Sequence, residues 1–319
     1  MKAAVYEKGS ADVLVLREIQ KPVARENEVL VKIHMASVNA LDYRSIKMGI
    51  TKNNTIMGAD VAGRVESVGE NVRSFRAGDD VVGDLSGCGM GGFAQYAAVP
   101  ETALVQKPAE ICFEDAAAVP VAAITALQAL RDKGQVSPGQ NVLIVGAGGG
   151  VGTYAVQLAK HFGARVTAVC GPKNVDMIKS IGADIVIDYT KVRFDTRKEQ
   201  YDLVVAANGS NLLSAYKRVL KSKGICVVLG GALRQIFSTM VFGPFLSIGG
   251  KKIRMLAAKP SQDDLSLILG LVSEGRIKPV IDRRYPLSEA AKALKYLSAG
   301  HARGKVVINI SEENEYESC

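Results

Sequence analysis

Tryptophan is absent from the 319 residues, histidine occurs three times, and aromatic residues make up only 6%. So few aromatics leave little to stack against exposed bases, which argues against a dedicated nucleic-acid binder despite a net charge of +8. The five cysteines, Cys88, Cys112, Cys170, Cys226 and Cys319, stand far apart with no C-x-x-C pair. That spacing encodes neither a disulfide framework nor a cysteine zinc knuckle, and it suits a reducing compartment. His34, His161 and His301 are not spaced with a cysteine or with one another, so no metal site is expected. An apolar leader is missing as well. Met1-Lys2-Ala3-Ala4-Val5-Tyr6-Glu7 reaches an acid before a signal-peptide core can form, which predicts a cytoplasmic protein. The charge-free stretch Gly134–Ala159 is broken by Pro138 and by a glycine cluster, so no membrane helix is expected there.

What the chain does carry is apolar material, 48% of residues, interleaved with 23% charged residues. Such a composition folds, and 319 residues exceed what one hydrophobic core usually holds, so two domains are expected. Forty basic residues against thirty-two acidic ones give the positive balance. It can serve a phosphorylated ligand or peripheral contact with an anionic surface, although the densest basic clusters, Lys217–Lys223 and Lys251–Arg254, read as solvated faces.

In the first third, short β-branched runs alternate with glycine turns. Ala3–Val5, Glu28–Met35, Ala62–Val68, Asp80–Val82 and Phe93–Val99 are expected as strands of an antiparallel, barrel-like lobe. From Pro138 the pattern becomes strand, turn, helix, repeated. Strands are expected at Asn141–Val145, Arg165–Cys170, Ile185–Ile187, Leu203–Ala206 and Ile225–Leu229, with helices at Val151–Phe162, Val175–Ile181 and Leu212–Leu220. Four of these strands are apolar with little interruption, as in a parallel sheet covered by helices on both faces. A strand Ile253–Ala258 would finish that sheet. A helix Asp263–Glu274, a strand near Val280–Arg284, a helix Ser288–Leu297 and a strand Lys305–Ile310 follow. The fold class is α/β: a β-rich domain plus a doubly wound parallel-sheet domain.

Between the strand at Asn141 and the helix after it lies Gly146-Ala147-Gly148-Gly149-Gly150-Val151-Gly152. Glycines permit a tight turn and let backbone N–H groups approach a pyrophosphate, while the helix start adds partial positive charge. The strict G-x-G-x-x-G spacing is not met, because Val151 stands where the third glycine belongs and Gly152 follows one later. The strand before the loop, the helix after it and the βαβ repeat are what make it a dinucleotide cradle. At the end of the second strand an acid would hold an unphosphorylated ribose. The chain has Cys170-Gly171-Pro172-Lys173-Asn174 there, with Asp176 already in the next helix. Lys173 and Asn174 can donate to a 2′-phosphate that a carboxylate would repel, so NADPH is expected over NADH. Asn208-Gly209 and Gly230-Gly231, after the fourth and fifth strands, lie at carboxyl ends where open parallel sheets bind ligands.

The order of parts carries a further message: the opening Met-Lys-Ala, Ser37-Val-Asn39-Ala-Leu-Asp42-Tyr43, Gly78-Asp79-Asp80-Val81, Pro120-Val-Ala-Ala-Ile-Thr125, then the glycine loop. As a set, these motifs resemble the zinc-independent quinone oxidoreductase branch of the medium-chain dehydrogenase/reductases, which includes NADPH:quinone and alkenal/enone reductases. The resemblance implies a GroES-like catalytic domain at 1–118, a Rossmann NADP-binding domain at 119–258, and a return segment at 259–319 completing the first domain. It also implies a homodimer joined through the last Rossmann strand. Thr125 would lie near the nicotinamide ribose, with Gly148, Gly149, Gly150, Val151 and Gly152 under the pyrophosphate. Gly171, Lys173 and Asn174 would face the 2′-phosphate with Tyr189 over it, and Arg303 or Lys305 would approach the cofactor. Gly171 departs from the serine often found in that position.

The same resemblance puts Asn39, Asp42 and Tyr43 by the nicotinamide. Asn39 would donate to substrate or cofactor, Asp42 would fix the ribose or the neighbouring loop, and Tyr43 would give the proton. A plainer reading stays open, with Asn39 and Asp42 as turn residues and Tyr43 as packing. Where zinc-dependent relatives bind metal, this chain has Asn39, Ala59 and Val121, so no metal is implied.

Alcohol oxidation without a Lewis acid needs a positioned base, and no Ser/Tyr-x-x-x-Lys or paired-histidine arrangement supplies one. A quinone, or an alkene conjugated to a carbonyl, carries its own electron sink and needs only positioning. The expected function is NADPH-dependent hydride transfer to such an acceptor. An enoyl-thioester reductase, or a non-catalytic dinucleotide-binding scaffold at a membrane surface, are the alternatives. Gly49–Met57 and the apolar stretch Leu233–Ile248 are the expected pocket walls.

Overall fold

The computed structural model describes residues 1–10, 13–207, 211–229 and 250–311. The chain divides into unit 1, formed by Met1–Ile124, Pro260–Gly275 and the chain from Pro279 onward, and unit 2, formed by Thr125–Lys259 and Arg276–Lys278.

Unit 1 begins with β1 (Lys2–Tyr6) and β2 (Leu14–Glu18), an antiparallel pair. β3 (Glu28–Val38) is the long central strand, followed by α1 (Ala40–Lys47), β4 (Asp60–Val68), β5 (Asp80–Asp84), β6 (Tyr96–Pro100), β7 (Leu104–Gln106) and α2 (Phe113–Ala117). Two of these helices were not expected. α1 buries Asp42 and Ser45 while Leu41 and Met48 lie 37% and 42% exposed, so its polarity is inverted and carries no amphipathic signature. α2, with Phe113, Ala116 and Ala117 buried, is too short for periodicity to register. α3 (Pro120–Gln128), also unforeseen, starts on a proline in the first helical position and is apolar nearly all round.

Unit 2 then lays down β8 (Asn141–Val145), α4 (Gly150–His161), β9 (Arg165–Cys170), α5 (Val175–Ser180), β10 (Ile185–Asp188), β11 (Tyr201–Ala206), α6 (Leu213–Val219), β12 (Leu220–Val228) and β13 (Lys252–Met255). Its six strands are all parallel, ordered β10-β9-β8-β11-β12-β13. Counted within the unit this is 3-2-1-4-5-6, the Rossmann order, with its switch point between β8 and β11. Val142, Leu143, Ile144, Leu203, Val204 and Val205 have no exposed surface, and each large aliphatic side chain so buried stabilises by roughly 1.5–3 kcal/mol. β12 starts at Leu220, earlier than expected, because α6 ends at Val219 and the chain runs directly into the strand.

The return segment adds helix Gln262–Ser273, β14 (Ile281–Pro286), helix Ala290–Ser298 and β15 (Lys305–Asn309) to unit 1. They complete a seven-stranded sheet, β14-β15-β3-β4-β5-β7 with β6 also paired to β3. The strands of the first third pair antiparallel as expected, while β14 and β15 of the return segment run parallel to each other. Val31, Ile33, Val61, Leu85, Phe93, Val306 and Ile308 share its core. Among the described residues Cys88, Cys170 and Cys226 are free thiols. Among the described residues no helix is long and apolar enough to cross a membrane.

Candidate active site

At the end of β8, Gly146 adopts φ 85°, a left-handed conformation that strains any side chain. Its N–H and that of Ala147 donate to the Val169 carbonyl at 3.1 and 3.0 Å, tying the loop to β9. Gly149 caps α4 in extended conformation and offers no side-chain acceptor, so the first-turn N–H groups of Gly150, Val151 and Gly152 have no partner within the helix. A Cβ on Gly152 would lie 2.3 Å from the Gly146 carbonyl oxygen and 2.6 Å from Ala147 Cα. The displaced glycine therefore does the work of the strict motif's third one: it lets the helix pack against the loop.

The adjoining strand ends supply side chains. A Cβ on Gly148 would come within 2.2 Å of Asn174 Nδ2, so the Asn174 amide lies directly over the loop. Tyr189 is 61% exposed and rests on Gly171, where a Cβ would be 3.2 Å from the phenol oxygen. Its N–H donates to the Cys170 carbonyl at 3.1 Å. Lys173 is exposed in the same turn. Gly148 to Gly152, Gly171, Lys173, Asn174 and Tyr189 thus gather at the carboxyl ends of β8, β9 and β10. A backbone cradle beside an exposed ammonium fits a dinucleotide with an extra phosphate. Thr125 is half-buried on α3. Asn208, Gly209, Gly230, Gly231 and the stretch Leu233–Ile248 lie outside the described residues.

In unit 1 the expected catalytic trio occupies the start of α1. Asn39 and Asp42 are buried and Tyr43 is half-buried, its ring packed against the core. Asp42 Oδ2 accepts the Asn39 N–H at 2.6 Å, an N-terminal cap made by the third helical residue. Among the described residues Asp42 Oδ1 has no hydrogen-bond partner. Burial, opposed by the Asn39 N–H and reinforced by the charge of Asp60, pushes the Asp42 carboxyl up to about 7.

Asn39 also joins a buried network. Its Oδ1 accepts from Lys305 Nζ at 2.8 Å, and its Nδ2 donates to Asp60 Oδ2 at 2.8 Å. Lys305 Nζ donates to the same Asp60 oxygen at 3.0 Å, Ser37 Oγ at 2.6 Å, and the Val121 N–H reaches Asp60 Oδ1 at 2.9 Å. Both oxygens of Asp60 thereby accept hydrogen bonds, three at Oδ2 and one at Oδ1, as a buried carboxylate requires. Lys305 is 2% exposed, its charge directed at Asp60, and Arg303 is exposed with its backbone N–H on Asp282. Asp84, paired across the sheet from Asp60, is raised to about 6 by burial and then by that neighbour's charge. Among the described residues no group of three or more His, Cys, Asp or Glu is arranged to hold a metal ion.

Residues 25–109 match the family described as alcohol dehydrogenase GroES-like domain, and residues 181–308 the family described as zinc-binding dehydrogenase. The chain is 36% identical to the chloroplast envelope quinone oxidoreductase homolog of Arabidopsis thaliana, across 97% of this chain and 98% of that one. The chain belongs to the quinone/alkenal oxidoreductase branch of the medium-chain dehydrogenase/reductases. It is also 34% identical to the NADPH-dependent alkenal/one oxidoreductase, chloroplastic, of Arabidopsis thaliana, across 97% of this chain and 79% of that one. Among solved structures, the quinone oxidoreductase from Coxiella burnetii aligns with a TM-score of 0.89 at 30% identity, covering 98% of this chain and 99% of that one.

Within this medium-chain reductase, sequence reasoning passed over Ser37, Asp60 and Asp84. Asp60 and Lys305 are each the first residue of a strand, a place where a charge normally reads as the exposed strand end. Their partnership spans 245 residues of chain and has no local signature. The buried thiols of Cys170 and Cys226 are pushed up to about 11 and about 12, chiefly by burial, which leaves them poor nucleophiles.

Proposed function

We propose that this protein reduces quinones or the C=C bond of α,β-unsaturated carbonyl compounds with NADPH. The observation that carries the reading is the cradle of unit 2: a glycine loop in which a Cβ at Gly152 would strike the loop itself and one at Gly148 would strike Asn174, opening onto helix N–H groups with no intrahelical partner, beside exposed Lys173. The relatives' names, one a quinone oxidoreductase homolog and one an NADPH-dependent alkenal/one oxidoreductase, support the same substrate range. Gly148 to Gly152 would hold the pyrophosphate, Lys173 and Asn174 the 2′-phosphate, Tyr189 would cover that phosphate, and Thr125 would approach the ribose. When bound, NADPH supplies a hydride equivalent, and the acceptor gains that hydride and one proton.

The chain's own residues contribute orientation and a proton. Asn39 acts as donor: its oxygen is taken by Lys305 and one Nδ2–H by Asp60, while its second Nδ2–H, held weakly by the Ser37 carbonyl at 3.5 Å, is the one left to share with an acceptor oxygen. Asp42 anchors the helix start, and Tyr43 gives the proton. The acceptor needs no bound cation in this reading, since the Asn39 oxygen is committed to an ammonium and Ala59 and Val121 offer no donor atom in their side chains.

The test is NADPH consumption by purified protein with a panel of quinones, 2-alkenals and enones, with metal content measured on the same sample. Turnover of at least one class by zinc-free protein is expected. Tight NADPH binding without turnover of any acceptor would favour the scaffold instead, and activity that tracks stoichiometric zinc would remove the cation-free part. Lys173→Glu should raise the Kd for NADPH on the order of 10-fold or more while leaving NADH nearly unchanged. The homodimer and the cytoplasmic location belong to the same proposal. β13 ends the six-stranded sheet among the described residues, which leaves an edge for a second copy, and sedimentation at micromolar concentration should give the dimer mass.

A further inference from the structure

Lys305 is the first residue of the last strand, and the register of β15 on β3, with Val306 opposite Val38, brings it level with Asn39. Gly304 makes this approach possible. It takes φ 101°, and a Cβ there would lie 2.2 Å from the Val280 carbonyl oxygen, to which the Lys305 N–H donates at 2.7 Å. On the other side, β3 and β4 pair Ser37 with Asp60. One buried point therefore joins the end of β3, the start of β4 and the start of β15, with α1 leaving directly from Asn39.

We propose that Lys305 is a positioning residue: through Asn39 Oδ1 and Asp60 Oδ2 it fixes the Asn39 amide and the first turn of α1, and so aims Asn39 and Tyr43 at the hydride acceptor. The proposal rests on the reductase reading given above. An ammonium accepts no hydrogen bond and a carboxylate donates none, so the amide has one orientation in which oxygen faces Lys305 and nitrogen faces Asp60. Removal of the ammonium takes away the donor to Asn39 Oδ1 and leaves Asp60 alone to hold the amide through Nδ2. The charge of Asp60 is then left buried beside Asp42, whose carboxyl caps the same helix turn. This differs from a direct contact with the cofactor, because Lys305 is enclosed within unit 1 and its polar contacts are the chain's own.

The experiment compares wild type, Lys305→Met and the double variant Lys305→Met/Asp60→Asn. The double variant removes both charges together, which spares the fold the penalty of an unpaired buried carboxylate and serves as the test even if the single variant is unstable. Readouts are thermal midpoint, NADPH Kd, and kcat and KM for the acceptor. Displacement of a positioned group by about 1 Å costs on the order of 100-fold in rate. The expected result is a double variant with most of the thermal midpoint restored, NADPH Kd within about twofold of wild type, and kcat still lowered by ~10- to 100-fold. Recovery of kcat together with stability, or a wild-type kcat in Lys305→Met, would overturn the positioning role and leave a structural one. If wild type reduces no acceptor, the functional reading fails separately. A crystal structure of the double variant then decides the present proposal: a turned Asn39 amide or a displaced α1 start supports it, and an unchanged geometry rejects it.

Discussion

At the scale of single residues, Asp42 has the clearest physical consequence. It is fully buried, one oxygen caps α1, and its carboxyl rises from 3.8 to about 7. Between those two values the folded protein keeps a proton that the unfolded chain has released. Raising the pH through that window therefore weakens the fold, by on the order of a few kcal/mol in total. Asp84, raised to about 6, acts with the same sign over a narrower range. Urea midpoints measured from pH ~4 to ~8 should fall as pH rises, and Asp42→Asn, which keeps an oxygen for the Asn39 N–H, should flatten most of that slope. A variant with the wild-type slope would mean that Asp42 is ionised throughout. The sequence carried Asp42 as a candidate but not its inward aim, because which way a helix residue faces is set by what the helix packs against.

Among the elements, the turn from β8 into α4 shows how much glycine positions differ. At Gly152 an added methyl meets backbone, 2.3 Å from the Gly146 oxygen, and backbone cannot step aside. At Gly148 it meets the far end of the Asn174 side chain, which can rotate away. Gly152→Ala should cost about 1–3 kcal/mol in stability and abolish NADPH binding, because the helix start backs off the loop. Gly148→Ala should keep the wild-type fold yet weaken NADPH binding through the displaced Asn174. Thermal melts paired with nucleotide fluorescence titrations separate the two, and equal melting losses would contradict the backbone-versus-side-chain distinction. The strands and helices of unit 2 were legible because their apolar runs and glycine punctuation are local features. α1 and α3 were not: one is inverted in polarity, the other apolar nearly all round, and neither presents the alternation on which sequence reading depends.

For the whole molecule, the +8 charge bears on encounter more than on fold. NADPH carries more negative charge than NADH, so steering should make kcat/KM for NADPH fall by roughly 3- to 10-fold as ionic strength rises from ~20 to ~200 mM, with a smaller change for NADH. Stopped-flow binding of both nucleotides across that range tests this, and parallel salt curves would rule out steering by the extra phosphate. Composition, strand–helix alternation and the glycine cluster determined by themselves that the chain makes an α/β protein with a nucleotide cradle, since each of these acts over a few residues of contiguous backbone. Only the tertiary structure decided that Lys305, 266 positions after Asn39, lies inside the first unit as the counter-charge of Asp60. That pairing depends on the register in which β15 meets β3, and register between strands so far apart is fixed by burial of the whole sheet, which no local stretch of sequence records.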